Sequence, residues 1–147
     1  MVNVSAKAET HRQAVARGEV HMRAGTLTLI KANAIAKGDV LAVAQVAGVM
    51  AAKRTDELIP MAHPLPLTGV DLTFQLDELT STVGIEAVVS TVSRTGVEME
   101  ALAAVSAAAL TIYDMCKAID REMTIDRIRL VRKSGGRSGE YRREGEP

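Results

Sequence analysis

The apolar positions of this chain recur at helical spacing over its longest regular stretch, from Thr95 to Lys117. With a turn of about 100° per residue, one face is apolar throughout, which is typical of a helix buried against a sheet. That face carries Leu102, Val105, Ala109, Ile112, Met115, Cys116 and Ile119. The opposite side carries small and charged residues, namely Glu100, Ala103, Ala107, Asp114 and, at its edge, Lys117. Thr95 and Glu98 have the spacing of a capping box, which predicts a helix start near Gly96.

A second long helix is predicted from Val40 to Leu58, and apolar residues occupy most of its circumference. Such a helix is covered on more than one side. Asp39 is a good N-cap for it, and Gly38 is a typical stop for the short helix predicted over residues 26–35. Pro60 excludes a regular continuation.

Alternating apolar positions predict the strands. Two of them, residues 69–79 and 82–92, are separated by a short turn and form a hairpin. A short strand over 19–23 precedes the helices, and a last strand covers 124–131. The order β, α, α, β, β, α, β predicts an α+β sandwich in which helices cover one face of a largely antiparallel sheet.

We expect residues 1–147 to form a single domain, because no linker or repeat divides them. Residues 1–17 are polar and weakly patterned, and residues 134–147 are rich in glycine and belong to a tail that is basic when counted from residue 132. Both segments are expected to be flexible unless they find a ligand or partner. Lys7 and Arg12 are either solvated charges or part of an arm that reaches a neighbouring subunit.

The composition excludes several classes of protein. The 18 basic and 18 acidic residues balance, and aromatic residues make up 2% of the chain, so a general nucleic-acid binder is not expected. A single cysteine excludes a disulfide framework and a cysteine-rich metal site. No secretory signal is visible, and no apolar run approaches the roughly 20 residues that span a bilayer. We therefore expect a cytoplasmic protein without a metal site of its own.

Residues 59–67, IPMAHPLPL, contain three prolines around His63. Each proline disfavours the helical conformation of the residue before it, so this segment is expected to be stiff and extended. A lone histidine is as often structural as functional in such a place, but a rigid setting favours a fixed imidazole in a site.

Charged residues supply the remaining candidate chemistry. They are Lys37, Lys53, His63, Glu100, Asp114, Lys117 and Lys133. Asp114 and Lys117 are neighbours on a helix. They form either a surface ion pair of small energetic value or an acid/base carboxylate whose pKa the lysine lowers.

Glu100 and Asp114 share a helix face but lie fourteen residues apart, which is roughly 21 Å along the axis. One small-molecule pocket cannot use both from one chain. We therefore expect a site shared between subunits, with the Ala103 and Ala107 surface allowing a second copy of the helix to approach.

Several blocks of this sequence, taken together, resemble the molybdenum cofactor biosynthesis protein C family, the cyclic pyranopterin monophosphate synthases. The blocks are KGDV (37–40), AAKRTDELIPMAHPLPL (51–67), GVEMEAL (96–102), LTIYDMCKA (110–118) and KSGGRSGE (133–140). The resemblance implies a ferredoxin-like α+β subunit in a homohexamer, a trimer of dimers with active sites at dimer interfaces. It implies a lyase that converts (8S)-3′,8-cyclo-7,8-dihydroguanosine 5′-triphosphate into cyclic pyranopterin monophosphate, with release of pyrophosphate.

The resemblance also implies roles for individual residues. Asp114 would be the catalytic acid/base, with Lys117 as its partner. The substrate-binding residues would be Met61, Ala62, His63, Met99, Glu100, Lys37 and Lys53, with Arg12 and Lys133 as weaker participants. The family often has cysteine where Ala62 stands, so a required thiol at that position is not expected. No cofactor is implied, although Mg²⁺ could accompany the triphosphate.

Two other classes remain open on the sequence. Small α+β domains also form nucleotide-sensing regulatory oligomers, and others are structural subunits without a ligand. A sensor would not need a set of Asp, Lys and His side chains suited to proton transfer.

Overall fold

The computed structural model describes residues 1–147, and its central feature is a five-stranded antiparallel sheet with the strand order β2-β3-β1-β4-β5. The elements are β1 Thr10–His21, α1 Ala24–Lys31, α2 Val40–Lys53, α3 Thr55–Leu58, β2 Leu67–Asp77, β3 Thr82–Ser93, α4 Glu98–Cys116, β4 Thr124–Ser134 and β5 Tyr141–Arg142. The helices pack on one side of the sheet. The predicted α+β, ferredoxin-like class is therefore confirmed.

Strand β1 lies in the middle of the sheet and pairs with β3 along its whole length. It begins at Thr10, nine residues before the predicted start at Glu19, so the predicted strand was too short. Ala14, Val15 and Ala16 are all buried. Because both faces of the strand are covered there, the alternation that marks a half-buried strand is missing.

Helix α4 lies against the sheet and fills the core with small side chains. Ala101, Ala104, Val105, Ala108, Ala109, Ile112 and Cys116 are fully buried. By length and composition α4 could cross a membrane, contrary to our expectation that no segment comes near this limit, yet 56% of it is buried inside the chain. The predicted capping box is wrong, because α4 begins at Glu98 after Val97 and no side chain caps it.

Helix α2 packs beside α4 through its small residues. A Cβ atom on Gly48 would lie 2.5 Å from a methyl carbon of Leu72 and 3.0 Å from the carbonyl oxygen of Ala104, so only glycine allows this approach. The buried stripe of α2 is Val40, Ala44, Gly48 and Ala52. The other apolar face of the helix is left uncovered within the chain, with Val43, Val46 and Met50 exposed.

The ends of the helices agree with local sequence signals only in part. Asp39 caps α2 by accepting a hydrogen bond from the Ala42 amide at 3.1 Å, as predicted. Helix α1 ends at Lys31 with Ala32 as its C-cap, so the predicted end at residue 35 and the stop at Gly38 are wrong. Gly38, with a φ of 121°, lies in the turn before α2. The predicted helix over 40–58 is broken at Arg54 into α2 and α3. The predicted hairpin of β2 and β3 is confirmed.

The two chain ends hold more structure than the sequence indicates. Much of the 1–17 segment belongs to β1, and the 134–147 segment contains β5, which pairs with β4 at Arg132 and Lys133. The last strand, β4, extends to Ser134 and contains two register shifts against β1. These features place the Gly-rich segment of residues 135–140 at the sheet edge, beside the start of β1.

Candidate active site

A cleft of about 500 Å³ lies at the N-terminal end of α4. Five of the predicted substrate-binding residues line it, namely Met61, Ala62, His63, Met99 and Glu100. The structure thus brings together two sequence blocks that are separated by β2 and β3. The proline-rich segment supplies one wall of the cleft, and the first turn of α4 supplies another.

The proline-rich segment has a fixed position beside the sheet. The hydroxyl of Thr91, a buried residue of β3, donates a hydrogen bond to the carbonyl oxygen of Pro66 at 2.7 Å. This bond anchors the end of the segment next to β2. His63, between two of the prolines, is half-buried at the cleft wall, so its imidazole is held near the N-terminal turn of α4.

Glu100 is the most unusual side chain of the cleft, because it is a carboxyl group with only 4% of its surface exposed. It makes no ion pair and no side-chain hydrogen bond to another residue. The pKa of Glu100 is raised to about 7, chiefly by burial; a hydrogen bond from its own backbone amide opposes this rise, and the negative charges of Glu98 and Asp56 add to it. A carboxyl group that titrates near neutral pH can both donate and accept a proton.

A second cluster of charges lies at the other end of α4. Asp114 Oδ1 is 3.0 Å from Lys117 Nζ, and Asp114 Oδ2 is 3.6 Å from Lys37 Nζ. The Lys117 hydrogen bond, followed by the charge of Lys37, holds the pKa of Asp114 below its usual range. All three side chains are about half exposed. The cluster therefore presents an ionised carboxylate and two ammonium groups to the solvent.

Lys37 reaches this cluster because the connection between α1 and α2 passes the end of α4. Its Nζ also donates a hydrogen bond to the backbone carbonyl oxygen of Asp114 at 3.1 Å. The positive φ of Gly38 and the cap formed by Asp39 fix the backbone that follows. A lysine at residue 37 is thus brought to Asp114 by a local turn and not by helix periodicity.

The two ends of α4 remain apart within one chain. The helical rise puts Glu100 and Asp114 roughly 21 Å from each other, and Asp114 does not line the cleft that contains Glu100. Lys53 lies exposed at the C-terminal end of α2. It makes no ion pair and does not line the cleft either, so the chain alone does not bring it to the other predicted residues.

A cationic cavity of about 830 Å³ adjoins the cleft. Its lining residues are Ala6, Lys7, Ala8, Thr10, Arg12, Gly136, Arg137 and Ser138. Lys7 lines both the cavity and the cleft, so the two spaces are neighbours. Three basic side chains with the amides of a glycine-rich loop form a setting suited to a phosphate group.

Arg12 is buried in this cavity wall, so the expectation that it is a solvated charge is wrong. Its Nε donates to the carbonyl oxygen of Ser93 at 3.0 Å, and its Nη2 donates to that of Arg94 at 3.3 Å. Lys133 hydrogen-bonds the hydroxyl of Ser138 in the same loop. In the sequence, the KSGGRSG block was the signal for this anion-binding loop. Nothing in that block indicated that the loop would lie against Arg12.

No three His, Cys, Asp or Glu side chains come together in an arrangement that could hold a metal ion. His11 and His21 lie at opposite ends of β1 and His63 lies in the segment before β2. Cys116 is buried in the core, as expected. The chemistry that the chain itself offers is therefore proton transfer at Glu100, His63 and Asp114, together with anion binding by basic side chains.

Comparison with known proteins identifies the family of this chain. The model of the MoaC family matches residues 1–136. The chain is 65% identical to a protein of Heliobacterium modesticaldum, over 98% of this chain and 91% of that protein. It is 65% identical to one of Thermomicrobium roseum, over 98% and 87%, and 67% identical to one of Roseiflexus sp., over 96% and 89%. All three relatives carry the name cyclic pyranopterin monophosphate synthase. This chain belongs to the MoaC family.

Proposed function

We propose that this protein is a cyclic pyranopterin monophosphate synthase of molybdenum cofactor biosynthesis. It converts (8S)-3′,8-cyclo-7,8-dihydroguanosine 5′-triphosphate into cyclic pyranopterin monophosphate and pyrophosphate, which makes it a phosphorus–oxygen lyase. The relatives named for this activity cover nearly the whole chain at 61–67% identity. The observation that carries the proposal is the ionised Asp114 held between Lys37 and Lys117, because a carboxylate between two ammonium groups is suited to proton transfer.

The phosphate groups of the substrate bind where basic side chains are concentrated. Arg12 and Lys7 line a cavity beside the cleft, and Lys133 holds the loop that closes it. Charge-assisted hydrogen bonds of this kind bind phosphate oxygens and stabilise the charge that develops as pyrophosphate leaves. The adjoining cleft of His63 and Glu100 then receives the purine-derived part of the substrate.

Opening of the purine ring and closure of the pterin ring require several proton transfers. Asp114 is the acid/base residue of the proposed mechanism, and Lys117 keeps it ionised between steps. His63 and Glu100 face the substrate from the cleft, and Glu100, with a pKa of about 7, supplies a second group that exchanges protons near neutral pH. Met61, Ala62 and Met99 complete the apolar wall that orients the rings.

One complete site requires two subunits, because Glu100 and Asp114 lie at opposite ends of α4. A second copy, related by a two-fold axis, would bring its Asp114 end to the Glu100 cleft of the first. We expected Ala103 to meet that copy, but Ala103 is buried within the chain. The uncovered apolar surface of α2 and α4 offers the alternative contact, with Val43, Val46, Met50 and Leu110 exposed.

The proposed assembly is a cytoplasmic homohexamer built as a trimer of such dimers. In this assembly Lys37 enters the shared site from the same subunit as Asp114. Lys53 contacts substrate that is bound in the cleft of a different subunit. No resident cofactor is needed for this chemistry. Mg²⁺ would arrive with the triphosphate and offset part of its charge.

The decisive test is turnover by the purified protein. With the cyclic dihydroguanosine triphosphate as substrate, we expect the pyranopterin product and pyrophosphate in equal amounts. Asp114→Asn should abolish both while the assembly persists, and Asp71→Asn, an exposed aspartate of β2 without an ion pair, should leave both unchanged. Binding without turnover by the unaltered protein would identify it as a nucleotide sensor and contradict the proposal.

A further inference from the structure

The segment that follows β4 returns to the sheet and is anchored by one buried carboxylate. Glu146 accepts hydrogen bonds from Arg129 Nε at 2.7 Å and Arg129 Nη2 at 2.9 Å, and a third from Arg17 Nη1 at 3.0 Å. Only 6% of the Glu146 side chain is exposed. Paired guanidinium bonds of this kind are among the stronger ionic contacts in proteins, so the tail is fixed at this point.

This anchor lies outside the part of the chain that characterises the family. The family match ends at residue 136, before β5 and the tail. The proposed reaction also assigns no role to Glu146, which lies against β1 and β4 and lines neither the cleft nor the cationic cavity. The proposed reaction thus gives no reason for a buried carboxylate with three guanidinium hydrogen bonds at this place.

The tail also closes the loop between β4 and β5. Tyr141 pairs with Lys133. Arg143 then continues along the strand, where its amide donates to the carbonyl oxygen of Val131 at 2.8 Å and its Nε donates to that of Leu130 at 2.7 Å. The loop of residues 135–140 is thus held at both of its ends, by β4 on one side and by the anchored tail on the other.

The loop rests directly on the cationic cavity. Gly135 and Gly136 have φ values of 90° and 78°. A Cβ atom on Gly135 would collide with the backbone at His11, and one on Gly136 would collide with the guanidinium group of Arg12. The loop backbone therefore lies against Arg12, and its next residue, Arg137, lines the same cavity.

We propose that Glu146 is a positioning residue for phosphate binding. By anchoring the tail to Arg129 and Arg17, it holds the 135–140 loop closed over Arg12, so that the loop and the arginine form one preorganised anion site. The carboxylate does not touch the substrate. The identity of the anion as the substrate's triphosphate rests on the proposed function, whereas the coupling between tail and loop does not.

The expected size of the effect follows from the population of the closed loop. A ligand that binds only the closed form loses apparent affinity in proportion to the fraction of molecules that are closed. If loss of the anchor leaves about a tenth of the molecules closed, the KM for substrate rises about tenfold. Turnover at saturation is unchanged, because the bound substrate selects the closed form.

Glu146→Gln removes the charge of the anchor and keeps its shape, and Glu144→Gln is the matched control, because Glu144 is exposed in the same tail and has no ion pair. Deletion of residues 145–147 is a second variant that leaves every helix and strand in place. For each protein we would measure KM and kcat with substrate, and the Kd for inorganic tripolyphosphate by calorimetry. Thermal unfolding verifies that each variant is folded.

We expect Glu146→Gln and the deletion to raise both KM and the tripolyphosphate Kd about tenfold with kcat within twofold, and Glu144→Gln to match the unaltered chain. Unchanged constants in both variants, or a loss of kcat at constant KM, would overturn the positioning role. Failure of the unaltered protein to bind tripolyphosphate would overturn it as well. If the unaltered protein binds tripolyphosphate but does not turn over the substrate, the proposed function fails, and the tripolyphosphate comparison still decides the role of Glu146.

Discussion

Replacement of Glu100 by glutamine should stabilise the protein at alkaline pH while it impairs the site. Glu100 is buried without an ion pair or a hydrogen bond from any other residue, and its pKa of about 7 lies above the usual 4.5. Between these two values the folded chain holds a proton that the unfolded chain has released. The contribution of Glu100 to stability is therefore fully present below pH 4.5, falls as the pH rises through the interval, and reaches its lowest level above pH 7.

The size of this effect follows from the shift of about 2.5 pKa units between 4.5 and 7. Each unit corresponds to about 1.36 kcal/mol, so ionisation of Glu100 lowers the free energy of unfolding by about 3 kcal/mol at pH 8. Glutamine has no proton to release. The advantage of Glu100→Gln over the unaltered chain should therefore grow by about 3 kcal/mol between pH 4.5 and pH 8.

Urea unfolding of both proteins at a series of pH values measures this difference directly. Glu9→Gln is a suitable control, because Glu9 is exposed and makes no ion pair. A difference between Glu100→Gln and the unaltered chain that does not change with pH would refute the burial of an uncompensated carboxyl group. Turnover by Glu100→Gln should fall at every pH, which would mark Glu100 as a residue kept for function at a cost in stability.

Three further predictions concern other parts of the structure. Lys117→Gln removes the main cause of the low pKa of Asp114, so the acidic limb of the pH–rate profile should move to higher pH; an unmoved limb would exclude this carboxylate as the titrating base. Gly48→Val should reduce the free energy of unfolding by about 1–3 kcal/mol in urea titrations, because the new side chain overlaps Leu72. Val46→Glu places a charge on the uncovered face of α2 and should reduce the assembled mass measured by light scattering, together with activity; an unaltered mass would place the subunit contact elsewhere.

The sequence predicted the elements whose signals are local. The hairpin of β2 and β3 alternates cleanly, and Asp39 has both the residue type and the position of an N-cap, so both appear as expected. The capping box at Thr95 failed because its spacing alone does not decide where a helix starts. In the structure Val97 is fully buried and is the residue before the first turn, so core packing, and not a side-chain cap, sets the start of α4.

Contacts between residues that are far apart in the chain could not be predicted from the sequence. From the sequence alone, Arg12 is predicted to be a surface arginine. In the structure, the pairing of β1 with β3 brings the carbonyl groups of Ser93 and Arg94 to its side chain. The sequence predicts a mobile tail, because nothing in its glycines and charges indicates that Glu146 forms an ion pair with Arg129. Nothing in the helical periodicity of α2 distinguishes the stripe that packs on α4 from the face left open for another subunit.

The sequence indicated which residues could form the candidate site, but it indicated less about how they are arranged in space. The Asp114 and Lys117 pair follows from helix geometry, and it was found as expected, whereas the arrival of Lys37 depends on the turn before α2. The separation of Glu100 from Asp114 also follows from helix geometry. It made a site shared between subunits the natural expectation before any fold was known, and the single chain indeed leaves the two groups in different places.

Subunit complementation tests the shared site most directly. Asp114→Asn changes the charge cluster at the C-terminal end of α4, and His63→Ala changes the cleft at its N-terminal end, so each variant alone should be inactive. After both are unfolded together and reassembled in equal amounts, half of the dimers contain one subunit of each kind, and one of the two sites in such a dimer has both ends intact. We predict recovery of about a quarter of the unaltered activity. No recovery from correctly reassembled mixtures would contradict a site that is completed by a second subunit.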